Sequence, residues 1–149
     1  MAQSLAQLYV HLVFSTKQRI PLIRAEIRPC LHAYLAGACD AIQSPAIIVG
    51  GVSDHVHLLF RLSKNIAMSE AVKQIKIESS KRMKDELHVQ GFSWQAGYGA
   101  FSVGASQVEA VTDYIRDQEE HHRVRSFQEE FRELLKRYHL TFDEAYVWD

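Results

Sequence analysis

The sequence predicts an α+β domain of the ferredoxin-like, or RRM-like, class, a β-α-β-β-α-β sandwich in which two helices cover one face of a four-stranded sheet. Two observations favour this class. Strand-like and helix-like segments alternate in that order, and the second and third strands are close enough to form a hairpin. The 149 residues form a single domain in this interpretation, with a core over about 8–125 and a helical tail over 126–149.

The first half of the chain supplies three strands and one helix. The segment "LYVHLVFST" (8–16) is rich in β-forming residues and predicts the first strand. From 21 to about 42 the apolar residues recur at helical spacing, and a proline at the start suits the first turn of a helix. Residues 44–51 and 54–62 predict the second and third strands, with a glycine pair leading into the turn between them.

The second half of the chain predicts three more helices and one strand. A helix covers about 68–87, and a strand interrupted by glycines lies within 91–104. A helix over about 107–122 carries a tyrosine and extends the fold beyond its six core elements. The sequence Ser-Phe-Gln-Glu at 126–129 matches a capping box, which predicts a tail helix from 127 to about 138.

Composition and charge exclude some classes of protein but do not select a function. The net charge is −1, with 11 basic and 7 acidic residues in 1–108 and 6 basic and 11 acidic residues in 109–149. An excess of +4 in the first segment is only a weak indication of nucleic-acid binding. No apolar run approaches the ~18 residues of a membrane span, and the N-terminus lacks signal-peptide features. The sequence therefore predicts a cytoplasmic protein that does not enter a membrane.

The segment "DHVHLLF" (54–60) places two histidines in an apolar strand. Side chains alternate between the two faces of a strand, so Val56 and Leu58 share one face while His55 and His57 share the other. Because the apolar face must meet the two helices, we expect the histidines on the open face of the sheet. Two imidazoles at this spacing can bind a divalent ion with the help of further ligands. Taken alone, the pattern more often marks a surface pair or a hydrogen-bonded pair of histidines than a metal site.

The helix over about 107–122 carries the second group of candidate residues. Tyr114 and Gln118 are four residues apart and therefore lie on the same side of the helix, beside an apolar stripe that contains Ile115. Each residue alone is compatible with a structural role, the tyrosine beside the core and the glutamine in solvent. His121 and His122 end this helix, where a cation interacts favourably with the helix dipole, so we expect a structural role for both.

Together, a strand with an H-hydrophobic-H pattern and a later helix with Y-x-x-x-Q resemble the single-tyrosine HUH transposases of the TnpA type. These enzymes are encoded by bacterial insertion sequences that move as single-stranded DNA. The resemblance extends over about 8–125 and includes "YVHLVFSTKQR", "KIESSKRM", "GYGAFSV" and "YIRDQEEHHR".

The resemblance implies a metal-dependent transposase that cleaves and rejoins single-stranded DNA through a 5′-phosphotyrosine intermediate. In that interpretation Tyr114 is the nucleophile, and His55, His57 and Gln118 bind the metal ion, which is Mg²⁺ or Mn²⁺. The resemblance also implies single-stranded DNA with hairpin ends as the substrate. It further implies a homodimer, in which the active sites can be shared between subunits.

Two further sets of residues are candidates for supporting roles. His11 alternates with the apolar residues of the first strand and faces the same side as the histidine pair, so it either supports the site or has no role there. A basic surface on the second helix and after the first strand could contact DNA phosphates, although such residues are commonly only solvated. Its members are Lys17, Arg19, Lys73, Lys76, Ser80, Lys81, Arg82 and Lys84.

Two alternative functions remain open at the level of sequence. One is a domesticated site-specific nickase that acts on chromosomal repeats and uses the same chemistry. The other is a non-catalytic module of the same fold that binds hairpin nucleic acid or a metal ion. A covalent adduct between protein and DNA separates the two catalytic functions from the non-catalytic one.

Overall fold

A four-stranded antiparallel sheet forms the centre of the protein, in a computed structural model that describes residues 2–149. The strands are β1 (Leu8–Ser15), β2 (Ala46–Gly51), β3 (His55–Leu62) and β4 (Gly99–Val103). Their order in the sheet is β2-β3-β1-β4, and every neighbouring pair is antiparallel. This is the order of the ferredoxin-like sandwich, so the predicted fold class is confirmed.

Five α-helices accompany the sheet within residues 2–149. They are α1 (Arg28–Ala41), α2 (Met68–Asp85), α3 (Val108–Arg116), α4 (Gln118–His121) and α5 (Phe127–Arg137). The predicted capping box is present, because the Ser126 side chain accepts a hydrogen bond from the Glu129 backbone N–H. Within the described part of the chain, no helix combines the length and the apolar character needed to cross a membrane.

Two predicted helices differ from the observed ones. The helix expected from residue 21 begins only at Arg28, where Pro29 occupies the first turn. The preceding segment is bent so that Ile23 is buried and its backbone N–H donates to the carbonyl of Ser53. The helix expected over 107–122 is interrupted at Asp117, whose φ of −94° and ψ of 23° separate α3 from α4.

One face of the sheet packs on α1 and α2 and contains the larger core. The alternating apolar residues of β1 and β3 meet apolar residues of the two helices, as the strand pattern predicts. The buried members from these four elements are Val10, Leu12, Phe14, Leu31, Leu35, Ala38, Cys39, Val56, Leu58, Phe60, Val72, Ile75 and Met83.

The other face of the sheet was expected to be open, and this expectation is wrong. The C-terminal helices fold back over it and form two further apolar clusters. Ile115 of α3 packs with Leu59 and Val103, while α5 packs on Val13 and Phe101 through Phe127, Phe131, Leu134 and Leu135. The sheet is therefore covered on both faces, and the face that carries the histidine pair lies inside the protein.

Two glycines allow the C-terminal helices to approach the sheet closely. A Cβ atom on Gly50 of β2 would lie 2.4 Å from the carbonyl oxygen of Ile115, and one on Gly99 of β4 would lie 2.5 Å from the Phe131 ring. Both distances are shorter than a van der Waals contact. The absence of a side chain at these two positions therefore sets the depth at which α3 and α5 dock.

We predict that Gly50→Ala lowers the free energy of unfolding by about 1–3 kcal/mol, the usual cost of overpacking. The obstructing atom belongs to the backbone of α3, so no side-chain rotation can relieve the contact. Urea denaturation followed by circular dichroism measures the effect. Gly37→Ala is the control, because Gly37 is a helical residue with nothing near its Cβ position, and it should gain about 1 kcal/mol. Equal stability of Gly50→Ala and the wild type would contradict the prediction.

Candidate active site

The two histidines of β3 lie on the face of the sheet that α3 and α5 cover. His55 and His57 are paired in the sheet with Ser15 and Val13 of β1, and both side chains are 0% exposed. Burial of an imidazole that lacks polar partners is costly. The side chains around this pair therefore decide what the pair can do.

The structure brings the predicted tyrosine and glutamine to the histidine pair within one chain. The Tyr114 ring centroid lies 5.8 Å from that of His57, and Gln118 Oε1 lies 3.3 Å from His55 Nε2. His11 belongs to the same group, because its Nε2 lies 2.8 Å from His57 Nδ1. All five predicted residues thus meet on one side of the sheet, and Tyr114 lies beside the histidines of its own chain.

Two residues at the centre of this group were not predicted from the sequence. Glu130 of α5 is 1% exposed, and its Oε1 lies 3.3 Å from His55 Nε2, 3.0 Å from His57 Nε2 and 3.1 Å from His122 Nε2. His122 was expected to have a structural role at a helix end, and in the structure it also contacts Glu130. A sequence signal for Glu130 exists, because it falls between Phe127, Phe131 and Leu134 in the apolar stripe of α5.

The partners of two imidazoles fix which of their nitrogen atoms carries hydrogen. His55 Nδ1 lies 2.7 Å from the Asp54 carboxylate, and His122 Nδ1 lies 2.7 Å from the Arg125 carbonyl oxygen. Both partners only accept hydrogen bonds, so each Nδ1 is a donor. In the neutral rings each Nε2 therefore carries a lone pair and no hydrogen. That lone pair points at an oxygen atom that can also only accept a hydrogen bond. Such a convergence of lone pairs requires either extra protons or a cation among them.

Protons can meet this requirement when no metal ion is bound. Burial alone would lower the pKa of His55, but its bonds with Asp54 and Glu130 outweigh burial and raise that pKa. Burial lowers the pKa of His57 despite its bond with Glu130. The Glu130 carboxyl would have a raised pKa from burial alone, yet its bonds with the three imidazoles hold the pKa far below its usual value. The carboxylate is therefore ionised at the centre of the site.

A divalent ion also fits the chemistry and spacing of these atoms. His55, His57, His122 and Glu130 each offer one ligand atom, and the four atoms lie within 4.8 Å of one another. Neighbouring ligand atoms about 2.1 Å from an ion lie about 3.0 Å apart in octahedral and about 3.4 Å apart in tetrahedral geometry. The separations of 3.0–3.3 Å around Glu130 Oε1 fall in this range. The orientation of His55 by a carboxylate is also typical of metal-binding histidines.

The Tyr114 hydroxyl donates a hydrogen bond to the second oxygen of Glu130. Gln118 Nε2 donates to the same oxygen, Oε2, at 3.2 Å, so one carboxylate contacts both the imidazole cluster and the phenol. Burial first, and then the negative charge of Glu130, raise the pKa of Tyr114 above its usual value of 10.0. The phenol is therefore protonated at neutral pH.

Two cavities lie beside the cluster. One of about 450 Å³ lies on the Tyr114 side and is also lined by His11, Gln107 and Arg137. The other, of about 320 Å³, lies on the His122 side and is lined by Asp54, Ser126 and two arginines, Arg123 and Arg125. The arginines of the second cavity have acidic partners within the chain, since Arg123 pairs with Glu120 at 2.6 Å and Arg125 pairs with Glu133.

The residues of the predicted basic surface differ in how freely they could contact DNA. Lys76 Nζ donates to the carbonyls of Gln95, Ala96 and Gly97 at 2.8, 3.2 and 2.7 Å. Burial lowers its pKa to about 8.

The two arginines of the predicted basic surface also have partners within the chain. Arg19 lies over the Trp148 ring at 5.6 Å, and Arg82 pairs with Glu86 at 3.1 Å. Ser80 is half-buried, whereas Lys17, Lys73, Lys81 and Lys84 are exposed.

Comparison with known proteins places this geometry in context. Residues 4–118 match the model of a protein family described as "Transposase IS200 like". Among solved structures, a protein from Deinococcus radiodurans R1 provisionally called a transposase matches with a TM-score of 0.61 and 23% identity, over 79% of this chain and 98% of that one. No curated protein matches the sequence.

A second solved structure is a REP-associated tyrosine transposase bound to a REP hairpin. It matches with a TM-score of 0.59 and 12% identity, over 82% of this chain and 74% of that one. At these identities the two structures support the fold alone. The family relationship rests on the match over residues 4–118.

We predict that the protein loses stability as the pH falls from 7 to 5, in part through His11. Burial, followed by the charge of His57, lowers the pKa of His11 from 6.5 to about 3. The unfolded chain therefore takes up a proton below about pH 6.5 that the folded chain does not bind, and this contribution amounts to about 2 kcal/mol at pH 5.

Urea denaturation of metal-free protein at both pH values should show a correspondingly smaller loss for His11→Asn. His88→Asn, at an exposed site, is the control and should behave as the wild type. An identical pH dependence in all three proteins would refute the prediction.

Proposed function

The chain belongs to the family of IS200-like transposases, and from this we propose that it is a metal-dependent DNA transposase of insertion-sequence type. It would cleave and rejoin single-stranded DNA through a 5′-phosphotyrosine intermediate on Tyr114. The observation that carries this proposal is the meeting of Tyr114 with His55, His57 and Gln118 in one buried cluster of one chain. The roles of these residues are part of the proposal.

The proposed reaction exchanges one phosphate ester for another. The Tyr114 oxygen forms a bond to phosphorus, and the bond from phosphorus to the 3′ oxygen of the preceding nucleotide breaks. The phenolic proton is lost to solvent, and the 3′ oxygen gains a proton as it leaves as a free hydroxyl. Because one phosphodiester replaces another and none is hydrolysed, the 3′ hydroxyl of another strand can reverse the reaction and rejoin DNA without ATP.

The divalent ion would be held beside Tyr114 by His55, His57 and Gln118. Bound there, the ion would supply positive charge to the phosphate and to the developing phenolate. Imidazole nitrogen together with amide oxygen favours Mn²⁺ over Mg²⁺, which prefers oxygen ligands. His11, whose Nε2 contacts His57 Nδ1, would keep the His57 ring in the orientation that directs Nε2 into the site.

The proposed substrate is single-stranded DNA with hairpin ends. The REP-associated tyrosine transposase of similar fold is bound to a REP hairpin, and four lysines of the predicted basic surface are exposed and could contact phosphates. Of these, Lys73 also lines a groove of about 410 Å³ together with Ser80 and Tyr98. A protein with this substrate would act in the cytoplasm, where bacterial DNA resides.

We further propose a homodimer in which each chain uses its own tyrosine. The dimer itself rests on the family resemblance. The use of the chain's own tyrosine rests on the contact between Tyr114 and Glu130, which in turn contacts His57 of the same chain. A second chain would then add DNA-binding surface without contributing ligands.

We predict that Tyr114→Phe abolishes a covalent adduct between the protein and a single-stranded oligonucleotide labelled at its 3′ end. Removal of the phenolic oxygen removes the nucleophile, so adduct formation with Mn²⁺ should fall by at least about 10³-fold. Denaturing gel electrophoresis detects the labelled protein. Tyr146→Phe, at an exposed tyrosine, is the matched control and should form the adduct normally.

Three outcomes of this experiment are informative. An adduct in Tyr114→Phe would exclude this nucleophile, and no adduct in the wild type under any divalent metal would favour a non-catalytic hairpin-binding module. Loss of the wild-type adduct on addition of EDTA, with recovery in excess Mn²⁺, would support the metal requirement.

We predict that Lys73→Gln combined with Lys81→Gln weakens binding of hairpin DNA and reduces its salt dependence. Each lost phosphate contact should lower the slope of log K against log salt by about 0.7–0.9. Fluorescence anisotropy with a labelled hairpin measures both the affinity and its salt dependence. The salt concentration is varied from about 50 to about 200 mM. Lys136→Gln, which removes an exposed charge from α5, is the control. An unchanged slope in the double variant would show that DNA binds elsewhere.

A further inference from the structure

Glu130 lies outside the part of the chain that matches the family, yet it occupies the centre of the site. The family match ends at residue 118, whereas Glu130 belongs to α5 (Phe127–Arg137). Its Oε1 is the one atom that contacts the Nε2 atoms of all three clustered imidazoles, at 3.0–3.3 Å. The ligand set proposed above from the resemblance does not include it.

The charge balance of the site points to a carboxylate ligand. The imidazoles and the Gln118 amide are neutral ligands, so a divalent ion held by them alone would leave two positive charges in a buried site. Burial of uncompensated charge is strongly unfavourable. Among the described residues, Glu130 is the one acidic side chain that is buried. A carboxylate oxygen of Glu130 also lies among the possible ligand atoms of the cluster.

The packing of α5 holds the carboxylate in this position. Phe127, Phe131 and Leu134 anchor the helix to the sheet, and the Ser126 cap fixes where the helix begins. Glu130 lies on the same side of α5 as these anchors and therefore points into the protein. The Phe131 ring rests against Gly99, which fixes the depth of the helix. The carboxylate is thus positioned before any ligand binds.

We propose that Glu130 is the anionic ligand of the divalent ion, through Oε1, and that metal binding therefore fastens α5 and the following residues to the sheet. This inference rests on the metal site of the proposed function and adds a ligand from outside the family-matched region. Its second oxygen, Oε2, accepts the hydrogen bond from Tyr114 and so places the nucleophile beside the ion. The C-terminal segment is then part of the active site rather than an appendage.

The competing interpretation is that Glu130 occupies the place of the substrate phosphate and must leave before DNA binds. The two interpretations differ in their consequences for metal binding without DNA. A ligand strengthens the binding of Mn²⁺, whereas a phosphate substitute leaves it unchanged and weakens the binding of DNA.

The test measures Mn²⁺ binding to the full-length protein without DNA, by isothermal titration calorimetry and by the electron paramagnetic resonance of free Mn²⁺. We expect Glu130→Gln to weaken Mn²⁺ binding by at least about 10-fold, as loss of a group in or next to a metal's coordination typically does. Glu129→Gln is the matched control, because it removes the same charge from the neighbouring, exposed position and should bind Mn²⁺ as the wild type does.

A second measurement follows the C-terminal helix directly. Trypsin cleaves after the basic residues Arg125, Arg132, Lys136 and Arg137, which lie in or next to α5. Mn²⁺ should slow cleavage there in the wild type and in Glu129→Gln but not in Glu130→Gln. If Glu130→Gln does not fold, Glu130→Asp replaces it, since it keeps the charge but is one methylene too short to reach the ion, and it should show the same weakening.

The outcomes separate this inference from the proposed function. Equal Mn²⁺ affinity in Glu130→Gln and the wild type would overturn the ligand role, and tighter binding of DNA by that variant would identify Glu130 as a phosphate substitute. Either result leaves the transposase proposal intact as long as the wild type forms the Tyr114 adduct. The opposite result is also possible, in which the wild type forms no adduct but binds Mn²⁺ in a way that depends on Glu130. That result would overturn the proposed function and support the role of Glu130 as a metal ligand.

Discussion

The contact between one buried carboxylate and three imidazoles, two of them fully buried, is the interaction on which the rest of the site depends. Glu130 faces His55, His57 and His122, and its side chain and those of His55 and His57 are almost completely buried. None of these groups could be buried alone at acceptable cost, because each needs the others as polar partners. The same carboxylate orients Tyr114 and Gln118. The positions of α3, α4 and α5 are therefore coupled through a single side chain.

The sequence predicted the sheet well because its strands follow a simple rule. Alternation of apolar and polar residues in β3 identified both the core face and the histidine face, and the order of elements identified the topology. The errors occurred where tertiary contacts override local pattern. The residues before Arg28 have helical spacing, but the hydrogen bond from Ile23 to Ser53 holds them in a bent conformation. The interruption at Asp117 likewise has no counterpart in the periodicity of the helix.

The site was predicted in part, for a similar reason. His55, His57, Tyr114 and Gln118 could be identified because two short motifs and a family resemblance connect them. Glu130 and His122 belong to no such motif, and α5 could equally have packed on a partner subunit. An acidic residue within the apolar stripe of an amphipathic helix was the available signal. Its meaning depends on what the stripe covers, and only the three-dimensional structure supplies that information.

The distance along the chain between β3 and α5 has a consequence for biosynthesis. His57 and Glu130 are 73 residues apart, and Gln118 follows His55 by 63. The ribosome produces the four strands and the first two helices before it produces the C-terminal segment that carries α3, α4 and α5. Until that segment emerges, the imidazoles have no carboxylate partner and Tyr114 has no fixed position. Under the proposed function, a chain that lacks this segment could not assemble the complete site.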